Sequence, residues 1–522
     1  MYLFSVVISA SIYGVGSRLV RVEADVSRGI PCFQMVGMLN SEVREARERV
    51  RVALKNAEIE LEPMSINVNL SPADLRKEGT AFDLPIAIAV LIAYGYVRQE
   101  CVENSLIVGE LGLNGEVRAV KGILSIVQEA RKQGIQKCIV PRENALEGAV
   151  IHGIDIVGVS HIREIVEYLK VDRTKQLEKI PVTRVNPQEL MQLGRKQMLL
   201  DFAEVNGQDS TKRAAEIAAA GFHHMLMIGP PGSGKTMIAN RIATILPPMM
   251  VDESIEVSTI YSVAGMLPSE NSFVVNRPFL NPHHTITQQA LIGGGRVPSP
   301  GVVSLAHRGV LFLDELPEFK RENLDLLRQP LEDKQVQIAR NNGTYIFPSD
   351  FMLVGAMNPC PCGYFPDRQK CNCAPYEIGR YLGRISGPIL DRIDICVETP
   401  SVNLEEMSKQ TIVSSENSAM IRKRVLSARE IQKDRFKGTG LQFNSEIGSR
   451  EIQKYCAVKA KNQKLLFRAL EQKNITLRGY YKILKVARTI ADIDGAEQIE
   501  ERHLMEALYY RKTDEKYWKG NW

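Results

Sequence analysis

Apolar residues in the first third of the chain follow two different spacings. Three short apolar runs, LFSVVISASI, SINVNL and CIVP, predict strands. Between the first two, apolar residues recur at helical spacing from about Asn40 to Ala57, with charged residues on the opposite face. We therefore predict strands alternating with helices, and assign residues 1–170 to an α/β domain.

The most apolar stretch runs from Asp83 to Val97 and contains Pro85 and Gly95. It is too short to span a bilayer, so we expect a buried helix rather than a membrane segment. The first residues lack a positively charged segment before the apolar run and a convincing cleavage site, which argues against a signal peptide. We expect a cytoplasmic protein with no membrane partner.

After residue 170 the composition changes. Residues 171–190 are charged and include Pro181 and Pro187, and we interpret them as a linker. Residues 191–400 return to the α/β pattern, whereas 401–522 show helical periodicity without a convincing strand. A chain of 522 residues is expected to form two to four domains, and these boundaries divide it into two α/β domains and a helical C-terminal lid.

The amino-acid composition excludes few classes of binding partner. Hydrophobic residues make up 44% and charged residues 24%, which is typical of soluble globular proteins. The net charge of +5 permits a polyanionic partner but does not argue for one. The chain has nine cysteines, and clustered thiols in a reducing cytosol are more often ligands than disulfides.

A strong chemical signal follows a short apolar stretch, Met225 to Ile228. The next residues read GPPGSGKT, a P-loop between a strand and a helix. Its backbone amides and the helix N-terminus suit phosphate oxygens, while Lys235 would reach the β- and γ-phosphates and Thr236 would ligate Mg²⁺. The candidate residues for binding ATP or GTP are Gly229, Pro230, Pro231, Gly232, Ser233, Gly234, Lys235 and Thr236.

Two further apolar strands end in polar residues. The first ends in Asp314 and Glu315. Asp314 would hold Mg²⁺ through water and Glu315 would polarise the attacking water, and the adjacent pair favours ATP hydrolysis over a GTPase switch. The second ends in Asn358, which would contact the γ-phosphate or that water. Taken alone, an asparagine before Pro359 would be structural.

Four cysteines follow this asparagine as two C-x-C pairs: Cys360, Cys362, Cys371 and Cys373. Four thiolates satisfy a tetrahedral Zn²⁺ and leave no open position, which favours a structural zinc knuckle at 360–373. Free thiols and an iron–sulfur cluster are the alternatives.

Together these motifs resemble the magnesium-chelatase-like AAA+ ATPases of the YifB/ComM family. The blocks RPFLNPHHTIT, GGG, PGVVSLAHRGVLFLDELPEF, RISGPILDRIDI and ILKVARTIADI carry the resemblance over nearly the whole length. It implies an AAA+ core with a parallel sheet, Asn358 as sensor 1, Arg392 as an arginine finger offered to the neighbouring subunit and Arg478 as sensor 2. It also implies adenine contacts at Gly207 and Gln208, and a homo-oligomeric ring that is most simply a hexamer.

Residues 66–150 resemble the protease domain of Lon. The nucleophile position of that family falls on Ala81 and the lysine position on Leu124, and neither side chain can act as nucleophile or base. Lys121 lies about one helical turn from Leu124 but has no serine partner. We predict a Lon-like fold without proteolysis.

The resemblance implies ATP-driven movement along single-stranded or branched DNA, including branch migration during recombination or natural transformation. Two segments are candidates for a central pore: a β-hairpin over Asp333–Pro348, turning at Asn341–Asn342, and the insertion carrying Arg277, His283, His284 and Arg296. Arg296, Lys334 and Arg340 are the candidate DNA-binding residues. A solvated charged face is the alternative for each of them. The twin histidines are interpreted as structural before DNA-contacting or metal-binding.

Two rival functions use the same phosphate chemistry. One is a chelatase-type or chaperone ATPase that remodels a protein partner, and the other is an ATPase that only scaffolds other proteins.

Overall fold

The computed structural model describes residues 4–194, 200–267, 273–340, 343–401, 416–472 and 476–518. Within these ranges the helices are too short or too polar for any of them to cross a membrane. The predicted turn at Asn341–Asn342 lies outside the described residues.

A seven-stranded mixed sheet forms the N-terminal part, in the spatial order β3-β4-β2-β1-β5-β8-β9. Strands β1, β2 and β4 pair antiparallel, and the other neighbours pair parallel. The strands are β1 (Phe4–Tyr13), β2 (Gly16–Ser27), β3 (Cys32–Val36), β4 (Ser65–Ser71), β5 (Ser105–Ile107), β8 (Lys137–Pro141) and β9 (Asp155–Val159), with a small ribbon of β6 (Glu110–Leu111) and β7 (Val117–Arg118).

Helices cover this sheet. Its most buried helix is Asp83–Ala93, in which every residue is buried, as the apolar stretch predicts. The predicted amphipathic helix spans Ser41–Asn56 and is capped by Asn40, whose side-chain oxygen accepts from the Val43 amide. The others are Ile123–Lys132, Arg142–Ala149, Ile162–Lys170, Arg173–Lys179 and Pro187–Gly194. The last two fall in or across the predicted linker, so that segment is partly helical.

The second sheet has five parallel strands in the order β11-β14-β17-β10-β18. These are β10 (Met225–Ile228), β11 (Phe279–Leu280), β14 (Val310–Leu313), β17 (Met352–Met357) and β18 (Ile395–Glu398). Strands β10, β14 and β17 are continuously buried, as expected of parallel strands covered on both faces. Two small ribbons, β12 (Gly293–Gly294) with β13 (Ser299–Pro300) and β15 (Gln335–Arg340) with β16 (Gly343–Pro348), project from this core.

Helices complete the ATPase core and the C-terminal part. In the core they are Asp209–Gly221, Lys235–Ile245, Val251–Ala264, Gln288–Ile292, Val302–Leu305, Arg321–Leu326, Arg328–Asp333, Pro375–Leu382 and Gly387–Leu390. After Pro400 they are Ser418–Arg435, Ile452–Tyr455, Ala460–Gln472, Leu477–Ile493 and Glu501–Trp518. The α/β class with a parallel ATPase sheet and a helical C-terminal part is confirmed, while the exact domain boundaries stay a prediction.

An ion pair joins two helices of the N-terminal part. Asp83 is fully buried, and its carboxylate accepts from Arg49 Nε at 2.7 Å and Nη2 at 2.8 Å. Burial raises the pKa of Asp83, and the hydrogen bonds from Arg49 oppose that rise. The carboxylate therefore depends on this guanidinium to remain charged inside the domain.

Arg49→Ala is expected to destabilise the protein by about 3 kcal/mol, because it leaves a buried carboxylate without its cation. Guanidinium denaturation measures the loss. The loss should be smaller in mildly acidic buffer, since the unpaired Asp83 has a raised folded-state pKa and protonation then removes the buried charge. Arg51→Ala on the same helix is the control, because that side chain is exposed and pairs only with exposed Glu48. Equal midpoints for the two variants would contradict the assignment.

Candidate functional site

The P-loop leaves the carboxyl end of β10, between the ends of β17 and β18. Gly229 must be glycine, because an added Cβ would lie 2.2 Å from the Thr399 carbonyl oxygen. Gly232 and Gly234 adopt φ of 75° and 87°, in the left-handed region that favours glycine. The loop then enters the helix Lys235–Ile245, whose N-terminus supplies free amides and a positive dipole end for phosphates.

Lys235 is folded back onto this loop. Its Nζ donates to the Gly229 and Pro230 carbonyl oxygens, both at 2.8 Å, and to Asn358 Oδ1 at 3.3 Å. Burial lowers the pKa of Lys235, and Asp314 opposes the shift. The proposed sensor and the P-loop lysine therefore already meet, and the lysine can exchange carbonyl partners for phosphate oxygens.

The two candidate magnesium ligands also meet. Thr236 Oγ1 donates to Asp314 Oδ2 at 2.7 Å, although the residues are far apart in sequence. Asp314 Oδ1 accepts from the Glu315 amide at 2.9 Å. A hydroxyl and a carboxylate are the hard oxygen ligands that Mg²⁺ prefers, so this pair fits the ion.

The Glu315 side chain is exposed rather than packed into the core. Its backbone is left-handed, with φ of 50°, and its side chain is 61% exposed. His284 Nδ1 lies 3.7 Å from Glu315 Oε2, and the His283 ring stacks on His284 with centroids 4.1 Å apart. Sequence reasoning missed this proximity. The available signal was the position of the twin histidines just after β11, the strand that pairs with β14.

Gly207 and Gln208 reach the P-loop from another direction. Gln208 Nε2 donates to the Ser233 carbonyl oxygen at 3.2 Å and to the Pro400 carbonyl oxygen at 2.7 Å. Both residues have positive φ, 65° and 59°, at the start of the helix Asp209–Gly221. The segment predicted to contact adenine therefore lies beside the phosphate loop.

Arg392 and Arg478 lie together in a separate cavity of about 390 Å³, whose lining contains no P-loop residue. Arg392 Nη2 pairs with Glu332 at 2.5 Å, and Arg478 Nη1 lies 4.0 Å from Asp391 Oδ2. The helix that carries Arg478 is held to the core by Lys482, which lies 3.3 Å from buried Asp394.

The four cysteines converge. Their sulfur atoms lie within 4.8 Å of one another, and Cys360 Sγ is 3.3 Å from Cys362 Sγ and 3.8 Å from Cys371 Sγ. Zinc–sulfur bonds of about 2.3 Å in a tetrahedron place sulfur atoms about 3.8 Å apart, so the cluster is compatible with a zinc site. Among the described residues it is the single group of three or more potential ligands that is close enough for a metal.

The candidate DNA-binding residues differ in exposure and in whether acidic side chains already pair with them. Arg296 is exposed. Arg340 is also exposed, with contacts to the carbonyl oxygens of Ala339 and Gly295. Lys334 is paired with Asp350 and with Glu446 of the C-terminal part. The suggestion that Arg277 could face a pore is wrong, because Arg277 is buried and pairs with Glu253 at 3.0 Å.

The hairpin predicted over Asp333–Pro348 forms as β15 and β16. It does not stand free. The Tyr345 ring stacks on Tyr13 of the N-terminal sheet, with centroids 4.6 Å apart. An added Cβ on Gly14 would lie 3.0 Å from the Ile346 carbonyl oxygen. The tight turn between β1 and β2 therefore packs directly on the hairpin.

The two positions aligned with the catalytic residues of Lon, Ala81 and Leu124, do not lie in the same cavity. Ala81 and Lys121 line a cavity of about 660 Å³ with Thr80 and Glu110, between the N-terminal part and the ATPase core. Leu124 is fully buried, and its aliphatic side chain cannot act as a base. The two positions that the Lon pattern would use are occupied by alanine and leucine, and in the same cavity Thr80 Oγ1 donates to Glu110.

Comparison with known families matches three models in succession. Residues 201–407 match "Magnesium chelatase, subunit ChlI", residues 22–144 match "Subunit ChlI of Mg-chelatase", and residues 415–511 match "Magnesium chelatase, subunit ChlI C-terminal". Together these models cover part of the N-terminal sheet, the nucleotide-binding core and most of the C-terminal helices.

Curated relatives match over almost the entire length. An uncharacterised protein YifB of Escherichia coli is 40% identical over 510 residues, covering 98% of this chain and 97% of that protein. The competence protein ComM of Haemophilus influenzae is also 40% identical over 510 residues, covering 97% of each chain. Partial matches are weaker: a DNA repair protein RadA of Halalkalibacterium halodurans is 34% identical over 18% of this chain, and a magnesium-chelatase 67 kDa subunit of Chlorobaculum parvum is 24% identical over 41%.

Proposed function

The chain belongs to the YifB/ComM family of magnesium-chelatase-like AAA+ ATPases, and from this premise we propose that it is an ATP-driven motor on single-stranded or branched DNA. The motor is a ring of identical subunits that hydrolyse ATP with Mg²⁺. Membership of this AAA+ family supports the hydrolysis, and DNA movement with branch migration is the finer proposal.

The observation that carries the hydrolytic part is the meeting of four side chains at one sheet edge. Thr236 and Asp314 would hold Mg²⁺, which supplies positive charge to the phosphate oxygens. Lys235 and Asn358, which already touch, would face the γ-phosphate. Glu315 would orient the attacking water and polarise it, because its exposed carboxylate can accept a hydrogen bond from that water. Each role needs only the side chains already present.

The DNA part rests on relatives and on surface charge. A full-length relative is named a competence protein and a partial one a DNA repair protein, and both names point to DNA. In this chain Arg296 and Arg340 present cations on neighbouring loops, with Arg340 contacting Gly295. Exposed cations of this kind bind the phosphate backbone without reading sequence.

The chelatase-type or chaperone alternative has less support. Although the three family models carry chelatase names, the magnesium-chelatase subunit of Chlorobaculum parvum is 24% identical over 41% of the chain, whereas the YifB and ComM proteins are 40% identical over nearly all of it. A protein substrate remains the outcome that the test below would reveal.

The placement of two arginines supports the proposed ring. Arg392 and Arg478 share a cavity apart from the P-loop of their own chain. We infer that both serve the ATP of the neighbouring subunit, where a guanidinium would stabilise charge on the transferred phosphoryl group. Such a site is incomplete in a monomer, and a closed hexamer would supply one arginine pair to every nucleotide.

ATP hydrolysis is expected to accelerate with single strands or a four-way junction more than with duplex, and the stimulation should fall steeply as salt rises. A steady-state phosphate-release assay measures this, with Glu315→Gln as the blank, expected to lose about a hundredfold or more of the rate. An active enzyme indifferent to every DNA would overturn the DNA motor in favour of a protein substrate. Trapping partners with Glu315→Gln would then be the next step.

Arg392→Ala and Lys235→Ala proteins are each expected to lose about a thousandfold or more of the ATPase rate. Mixing the two should restore activity, because the Lys235 variant supplies an intact arginine to the intact P-loop of its neighbour. Arg478→Ala should behave as Arg392→Ala does in the same mixture. Arg502→Ala, an exposed arginine of the C-terminal part, is the control and should keep the wild-type rate. Mixed rings that form but stay inactive would contradict the shared site.

Structural zinc at the cysteine cluster is the remaining part of the proposal. Cys360→Ser, Cys362→Ser, Cys371→Ser and Cys373→Ser should each lose the zinc that the wild-type protein retains through purification, because a closed site needs all four thiolates. Elemental analysis measures the metal. Cys32→Ser is the matched control, since Cys32 lies beside Ser65 in the N-terminal sheet. Full zinc retention in every variant would refute the site, and bound iron would favour a cluster instead.

A further inference from the structure

The cysteine loop lies directly against the phosphate-binding loop. Gly363 sits between the two cysteine pairs, with φ of +87°. An added Cβ there would lie 2.4 Å from Pro231 Cδ and 2.8 Å from Pro231 Cγ. These ring atoms are tied to the backbone, so Pro231 cannot swing aside as a flexible side chain would. The two loops are therefore as close as a glycine permits.

The cysteine cluster fixes the position of Gly363. The Gly363 amide donates to the Cys360 carbonyl oxygen at 3.0 Å, and the Phe365 amide donates to Cys360 Sγ at 3.4 Å. Cys362, the residue before Gly363, has its sulfur 3.5 Å from Cys371 Sγ. Sulfur contacts thus bracket the glycine on both sides and hold its backbone in place.

The same loop begins at the nucleotide site and also contacts the last helix. It starts at Asn358, which contacts Lys235 of the P-loop. Further along, the Phe365 ring lies edge-on to Tyr517 of the last helix, with centroids 6.1 Å apart. Pro231 belongs to the segment whose amides must surround the phosphates. A displacement of Pro231 would therefore change the cradle itself.

We propose that Gly363, held by the cysteine cluster, is a positioning residue for ATP, because its close packing on Pro231 sets the conformation of the P-loop. The proposal rests on ATP binding at that loop and adds a role for the cysteine loop within it. Gly363 touches no nucleotide and acts only through Pro231. A structural staple without this role would stabilise the fold but leave nucleotide affinity unchanged.

Gly363→Ala tests the contact. The added methyl group must push Pro231 or its own loop, and overpacking of this kind should weaken ATP binding by about tenfold. Both KM for ATP and the Kd of a fluorescent ATP analogue should rise, while kcat changes less, because the catalytic side chains are untouched. Elemental analysis should show that the variant keeps its zinc.

Two variants separate the clash from other effects. Gly134→Ala introduces alanine at a similar φ of +77°, but nothing lies within 4 Å of the added Cβ, so it should leave nucleotide affinity unchanged. In a Pro231→Ala background the clashing ring atoms are absent, and Gly363→Ala should then add little further loss. Unchanged affinity in a zinc-loaded Gly363→Ala protein, or an equal loss with and without Pro231, would overturn the proposal.

A second measurement uses the wild-type protein, in case Gly363→Ala does not fold. Hydrogen exchange of a peptide spanning 360–373 should slow when a non-hydrolysable ATP analogue binds, because the P-loop and this loop would move as one. Absence of protection there, with clear protection at the P-loop, would refute the coupling. Absence of protection at the P-loop itself would instead count against ATP binding and so against the proposed function.

Discussion

Parallel pairing in the five-stranded sheet is the constraint on which the candidate site depends. Because β10, β14 and β17 run in the same direction and are neighbours in order, their carboxyl ends meet at one edge. That edge gathers the P-loop, the Asp314–Glu315 pair and Asn358 from three distant parts of the chain. The contacts Thr236–Asp314 and Lys235–Asn358 are direct results of this register. A strand inserted between any two of these three strands would move the catalytic groups apart by about 5 Å more.

Contacts at two places, among others, attach the N-terminal part to the ATPase core. At one, the Gly122 amide donates to the Ser262 carbonyl oxygen, and buried Glu147 accepts from the Ser262 hydroxyl. At the other, Tyr13 stacks on Tyr345 of the β15–β16 hairpin. The second contact places the N-terminal sheet on the hairpin that carries Arg340, a residue proposed to bind DNA. A motion of the hairpin during the ATP cycle would therefore also displace the N-terminal sheet.

A loop and a cavity are proposed to serve nucleotide sites in different ways. The cysteine loop runs from the end of β17 along Pro231 to the last helix, and it stays within one chain. The Arg392–Arg478 cavity lies elsewhere and suits the site of a neighbour. In our proposals, the first arrangement stiffens the nucleotide pocket from within the chain, and the second makes ATP hydrolysis depend on assembly.

The sequence by itself determined the local chemistry: the P-loop between strand and helix, the acidic pair and the asparagine at strand ends, the paired cysteines, and the buried helix at Asp83–Ala93. These are contiguous patterns, and the chain near each residue is sufficient to define them. Only the tertiary structure decided that Arg277 is buried on Glu253, that Lys334 is occupied by acidic partners, that His284 lies near Glu315, and that Gly363 rests on Pro231. Those facts concern residues brought together by packing across the whole chain. One arginine in a charged stretch looks like another until its neighbours in space are known.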